Sequence, residues 1–457
     1  MRKKLLAVIA AAAMAVTMMP AMVFATGAPV TNEEALREAV DTGGEVTLGA
    51  DINLTSPLEI SGNVTLNLGI YDIRPAEGFT GADAVKDSLI VVNRGAHLIV
   101  NGNEGIIDAS NNTYGVRAGI KMTKNDGNAD NYAMKARLTV NGGIIKGDDY
   151  GIVGNGTRHG TEITINGGTV ESGSHAIYHP QDGTLTVNNG TISGKMTGIE
   201  MRSGTLNVNG GVIIGEGDPF SVGPNGNGTT TGGAAVAIAQ HTTENPINVN
   251  ITGGTFTATA DDGYAIVASN PQENANVESN VNIVIDGGVF KGFVADNTTA
   301  EDLGATLVIN KGIFQKSFSF VGEGSGLNAS QDYMLIDGRR YIGNDLVADA
   351  LKNATKDSEI YVFTDVDGKL VVPAGATVYN YTGETLNING TNYEKTPVDQ
   401  DPQPIVAPEA KAPEEQKPEK SPETGDESNM AVPFAAAGLA LAAMAAVAAV
   451  AARRRHN

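Results

Sequence analysis

The chain has 457 residues, 57 of them glycine, with no cysteine, no tryptophan and a formal net charge of −21. So acidic a molecule repels nucleic acid and anionic glycans, which argues against nucleic acid as a partner and favours cations or basic surfaces. Without cysteine there is no disulfide framework, so packing and backbone pairing must hold the fold, and glycine without a collagen period predicts many tight turns.

Residues 1–25, MRKKLLAVIAAAAMAVTMMPAMVFA, join a basic start (Arg2, Lys3, Lys4) to an apolar run and a small-residue site ending at Ala25. This is the pattern of a secretory signal peptide, and it predicts an extracellular mature chain. Residues 26–44 hold TNEEALREAV. Thr31 and Glu34 fit a helix capping box, and Ala35, Leu36, Ala39 and Val40 make one apolar stripe. Such a helix covers the open end of the strands C-terminal to it, which would otherwise be an aggregation edge.

From residue 45 the chain is repetitive. LTVNGGIIKG from Leu138 returns as ITINGGTVESG from Ile163 and LTVNNGTISG from Leu185. The copies align on Gly143, Gly168, Gly190, Gly211, Gly254, Gly288 and Gly312. Five residues earlier stand Leu138, Ile163, Leu185, Leu206, Val249, Ile283 and Leu307; two residues later stand Ile145, Val170, Ile192, Ile213, Phe256, Phe290 and Phe314. The position three before each anchor is always β-branched, and Ile152, Ile177 and Ile199 lie nine after the first three. Alternation with period two means strands with one buried face, and the Asn-Gly step after them means a sharp turn. Coils of about 22 to 25 residues with the same inward side chains predict an all-β parallel β-helix over 45–320, on the order of a dozen rungs. Asn141, Asn166, Asn188, Asn209 and Asn310 hold one turn position, with Thr252 and Asp286 substituting. In register they would form a structural ladder of amides bonded to one another.

Residues 321–395 include ALKNATKDSEIYVF, which resembles ALREAVDTGGEVTL from Ala35, so a second helix-led strand unit is expected, either as a C-terminal α+β cap or as a small domain. Residues 396–420 are rich in Pro, Glu and Lys and read as a disordered stalk spanning at most roughly 80 Å. Residues 421–457 contain Ser421-Pro422-Glu423-Thr424-Gly425, an uncharged apolar stretch over 431–452 long enough for a transmembrane helix, and Arg453, Arg454 and Arg455. This order resembles the cell-wall sorting signal of Gram-positive surface proteins, Leu-Pro-x-Thr-Gly before an apolar helix and a basic tail, with Ser421 in place of the Leu. The resemblance implies that a sortase cleaves after Thr424 and joins it to peptidoglycan, so that the protein is extracellular, wall-anchored, and in the membrane only through this helix before sorting.

The rungs, the inward columns and the Asn turn resemble the right-handed parallel β-helix superfamily of the pectate lyases, and more narrowly the pectate-lyase-like surface proteins of Gram-positive bacteria. Enzymes and binding proteins share that architecture, so function must be argued from sites. The acidic pairs Asp148-Asp149 and Asp261-Asp262 are too far apart in the stack to cooperate. Arg158-His159-Gly160 resembles the Gly-His-Gly of polygalacturonases but lacks their companion Asn-Thr-Asp and Arg-Ile-Lys elements, and His175 and His179 read as solvated residues flanking Ile177. No cofactor or metal spacing stands out, and Ca²⁺ is the one cation left open. Irregular segments 124–137, 215–233 and 269–280 read as protruding loops, with Tyr132, Tyr150, Tyr178 and Tyr264 nearby as candidate exposed rings. The expectation is a non-catalytic adhesin-like rod that binds a host or microbial glycan or protein. A wall-tethered polysaccharide lyase or glycoside hydrolase is the first alternative, and a structural spacer the second.

Overall fold

The computed structural model describes residues 28–80, 88–123, 134–154, 160–221, 229–296, 304–320, 325–364, 371–388 and 390–396. Residues 1–27 and 397–457, where a signal peptide, most of a stalk and a sorting signal are expected, lie outside these residues. Their core is a long stack of parallel strands with the architecture of a parallel β-helix. Thr161–Ile165, Thr169–Ser172 and His175–His179 make one coil, and each pairs in parallel with its counterpart in the coils on either side. The third strands form a nine-stranded parallel sheet from Leu58–Ile60 to Phe293–Asp296. A tenth coil closes with a single bridge between Val294 and Phe318. Ten coils stand among the described residues, and Phe220–Ser221 and Thr231–Gly232 pair with each other outside the stack instead of adding a rung.

Register is what turns the repeat into a core. Leu138 sits beside Ile163, then Leu185, Leu206, Val249, Ile283 and Leu307. Ile145, Val170 and Ile192 stack likewise, and all of these side chains are buried in one continuous apolar cluster. Phe256, Phe290 and Phe314 stack ring on ring at 4.9 and 4.6 Å. A rung alone cannot bury its apolar face; its neighbours do so from both sides. The turn glycine is conformationally required. Gly168 has φ +77°, and a Cβ there would lie 2.5 Å from the carbonyl oxygen of Gly143 in the coil below. At the far end the pairing runs on through the turn: Val281–Lys291 and Thr306–Phe314 are each continuous strands, with register irregularities at Asp286 and Gly288 still at φ +102°.

Helix Glu33–Thr42 caps the first coil, with Leu36 and Val40 buried in the rod's core. The cap residue differs from the expected Thr31. Asn32 is the N-cap, its side chain accepting from Ala35 N at 2.9 Å. Glu33, not Glu34, ties the helix down, binding Arg37 and the backbone of Thr55. Starting at Glu33 points Leu36 and Val40 at the rung.

The unit after residue 320 is hydrogen-bonded to the last coil. Arg339–Ile342 pairs antiparallel with Gly312–Phe314 and with Tyr333–Ile336, which in turn pairs with Glu359–Val362. Helix Asn344–Asn353 lays Val347 and Leu351 against Met334, Ile336, Ile360 and Val362 in a small core of its own. The order helix, strand Glu359–Val362, parallel strand Thr377–Asn380 repeats that of Glu33–Thr42, Gly44–Thr47 and Asn63–Asn67. Among the described residues no helix is long and apolar enough to cross a membrane, and 431–452 lies outside them.

Candidate functional site

The turn asparagines form a directional chain. Thr252 Oγ1 donates to Asn209, and Nδ2 of Asn209 to Asn188, Asn188 to Asn166, Asn166 to Asn141, Asn141 to Asn101 and Asn101 to Asn67, at 2.8–3.0 Å. Asn67 ends it on the Glu45 carboxylate at 2.7 Å. Asn310 belongs to a second, shorter chain: Asn328 donates to it and it donates to Asp286. Both runs finish on a carboxylate, the strongest acceptor available.

The expected solvated histidines are fully enclosed. His175 and His179 both have 0% exposure. His175 is covered by the segment 229–233, which crosses the outer face of the third sheet, whereas His179 stands in register with Met201 and Ile238 on the side that faces the rod's core. His175 Nε2–H donates to the Thr231 carbonyl at 2.9 Å, while Ser174 Oγ–H donates to its Nδ1. Glu200, also 0% exposed, accepts from Thr230 N and Oγ1 at 2.8 and 2.6 Å. Its other oxygen lies 3.4 Å from His175 Nε2 and has no hydrogen bond. Arg202 donates to the Tyr178 hydroxyl and the Ala239 carbonyl. His179 Nδ1–H donates to the Ser203 carbonyl, and burial pulls its pKa down to about 4. Burial also holds the Tyr150 phenol protonated well above its ordinary range. The His175–Glu200 pair and its neighbours act as a latch on the crossing segment. Nothing in the sequence pointed to Glu200 or Arg202, because they belong to the outward alternation of a strand whose cover comes from about thirty residues later in the chain.

The remaining candidates scatter. Tyr150, Tyr178 and Tyr264 are buried at 1–2% exposure, so they are packed against the sheet and are not rings on display; Tyr132 lies outside the described residues. Asp149 pairs with Arg117, and Lys316 binds the Asp261 carbonyl. The two acidic pairs stand four coils apart, roughly 19 Å at the usual strand spacing. Arg158 and His159 lie outside the described residues, as do Ser421, Pro422, Glu423, Thr424 and Gly425. No group of three or more His, Asp or Glu that could hold a metal occurs among the described residues.

A groove opens where the second strand turns into the third. Gly147, Ser172, Gly194 and Gly215 share one register column at this corner. The corner is too sharp for a larger side chain: a Cβ on Gly194 would lie 1.9 Å from the Thr197 carbonyl. Small residues in the column leave a concavity of about 350 Å³. Its walls come from five successive coils: Ser110 and Asn111; Lys146 and Asp148; Glu171; Ser193 and Lys195; Glu216. Lys146 pairs with Glu171 and Lys195 with Glu216, each at 2.5 Å, and Ser193 donates to Glu216 at 2.9 Å. Lys195 holds the Glu216 carboxyl below its usual range. One lip is pre-shaped, since Asn111 adopts φ +49° and Asn112 donates to the Ala109 and Val116 carbonyls. The legible signal was the run KGDD, ESGS, SGKM, IGEG at the same place in four copies, in which a small residue adjoins a charge. No protein-family model, curated protein or solved structure matches the chain.

Proposed function

We propose that the protein is a secreted, wall-anchored surface protein of a Gram-positive bacterium, whose right-handed parallel β-helix is a non-catalytic binding rod held off the wall by the stalk. The observation that supports the non-catalytic reading is the closure of the third sheet. The side chains best suited to acid–base work, His175 and Glu200, have no solvent exposure and direct their polar atoms at the segment that covers them. A general acid or base must reach the proton it transfers. The test is incubation of the intact protein with a polysaccharide panel, reading bound ligand, reducing ends and unsaturated sugars. Binding without product supports the rod; released product overturns it; neither signal favours a spacer.

The hydrogen-bond-free Glu200 oxygen beside His175 favours one second reading. A lyase or hydrolase would need residues 229–233 to lift and expose this pair. Thr230→Ala and Thr231→Gly would loosen the cover, and turnover gained in that variant would support it.

Anchoring rests on Ser421–Gly425 and the apolar stretch 431–452. Mass spectrometry of wall fragments freed by a muramidase should find the chain ending at Thr424 with peptidoglycan attached. A detergent-extractable protein with its C-terminus intact would mean a plain membrane anchor.

A further inference from the structure

We infer that the groove between the second and third strand columns is the ligand site of this rod, and that it takes a linear, uncharged polysaccharide lying along the rod axis. This rests on the binding-rod reading above. The physical basis is translation. Ser110, Lys146, Glu171, Ser193 and Glu216 come from five successive coils, so polar groups recur at about 4.8 Å along a straight line of roughly 19 Å. A straight, evenly spaced array of donors and acceptors suits a ligand that is itself a straight repeat.

The lining chooses the chemistry. Hydroxyls (Ser110, Ser193), an amide (Asn111), ammonium groups and carboxylates offer both donors and acceptors, which is what hydroxyl-rich sugars need. A polypeptide finds little here. The lining residues include no large apolar side chain to receive an anchor, and the strands flooring the groove are paired on both sides, leaving no edge for strand addition. Charge then narrows the class. Lys146 is neutralised by Glu171 and Lys195 by Glu216, and Asp148 adds an exposed carboxylate. On a chain of net charge −21 that surface repels polyuronates. Paired, mutually held side chains also lose little freedom when a neutral ligand binds over them.

The test measures binding of the intact protein to soluble glucan, mannan and xylan, with polygalacturonate and gelatin as the charged and polypeptide comparisons, at low and high salt. A neutral glycan should bind with little salt dependence. Ser193→Trp, which fills the groove, should weaken it at least tenfold. Lys195→Ala, at an exposed position, should weaken it several-fold. Thr186→Trp, on the face before the Asn turn, should leave it unchanged. Neutral-glycan binding that survives both groove substitutions overturns the site and leaves the binding-rod reading standing. Groove-dependent binding of polygalacturonate or gelatin alone overturns the ligand class. No binding to any probe removes the proposal together with the reading it rests on.

Discussion

The asparagine chain shows how a residue can be exposed and still structural. Each amide in it takes a hydrogen bond from the one before and gives one to the next, and the direction is the same from Thr252 to Glu45. Bonds aligned head to tail polarise one another, and a terminal carboxylate favours that polarity. Asn188→Ala in the middle of the run removes two neutral hydrogen bonds and should cost about 1 to 3 kcal/mol in urea denaturation. Asn188→Asp keeps the acceptor for Asn209 but faces Asn166 Oδ1 with a carboxylate, so it should be at least as damaging; a neutral effect would show the ladder contributes nothing. His179 gives a pH prediction. Its folded pKa, about 4, lies below the ordinary value of 6.5, so the unfolded chain takes up the proton first as pH falls. The stability associated with its neutral, buried form is therefore complete above about pH 6.5 and is lost progressively down to about pH 4, by up to about 3 kcal/mol. A His179→Asn variant should lose that part of the slope in denaturation measured across this window.

At the scale of elements, the apolar columns carry the stability and the caps prevent misuse of the ends. Phe290 lies between Phe256 and Phe314, with ring planes within 8° of parallel on both sides. Phe290→Ala should cost about 3 to 5 kcal/mol, because two rigid neighbours keep the cavity from collapsing; Phe290→Leu should cost under about 1.5. Equal costs for the two in chemical denaturation would show that the stack relaxes freely. The N-terminal helix was legible down to its buried Leu36 and Val40, since period and apolarity decide those. Its cap residue was not. Thr31 and Asn32 are both good caps, and the choice depends on which start aims the stripe at the coil beneath.

The whole molecule is a one-dimensional stack closed at both described ends, by helix Glu33–Thr42 at one and by the sheet and helix after residue 320 at the other. The chain carries 52 acidic against 31 basic residues, so self-repulsion opposes folding. Added salt should raise the melting temperature by a few degrees through screening. A falling melting temperature would mean that surface pairs such as Lys146–Glu171 outweigh the repulsion. The sequence by itself determined the solenoid, because identical apolar positions at a fixed period have one way to bury one another, and the columns from Leu138 to Leu307 sit in the expected register. It also determined where turns fall, because only Asn and Gly tolerate their backbone angles cheaply. Tertiary structure alone decided what is open and what is shut. Whether His175 and Glu200 face water depends on residues 229–233 crossing over them, a contact between segments some thirty to fifty-five residues apart. Likewise the groove exists only because five coils place their short and charged side chains side by side at one corner, and local pattern carries no record of distance between coils.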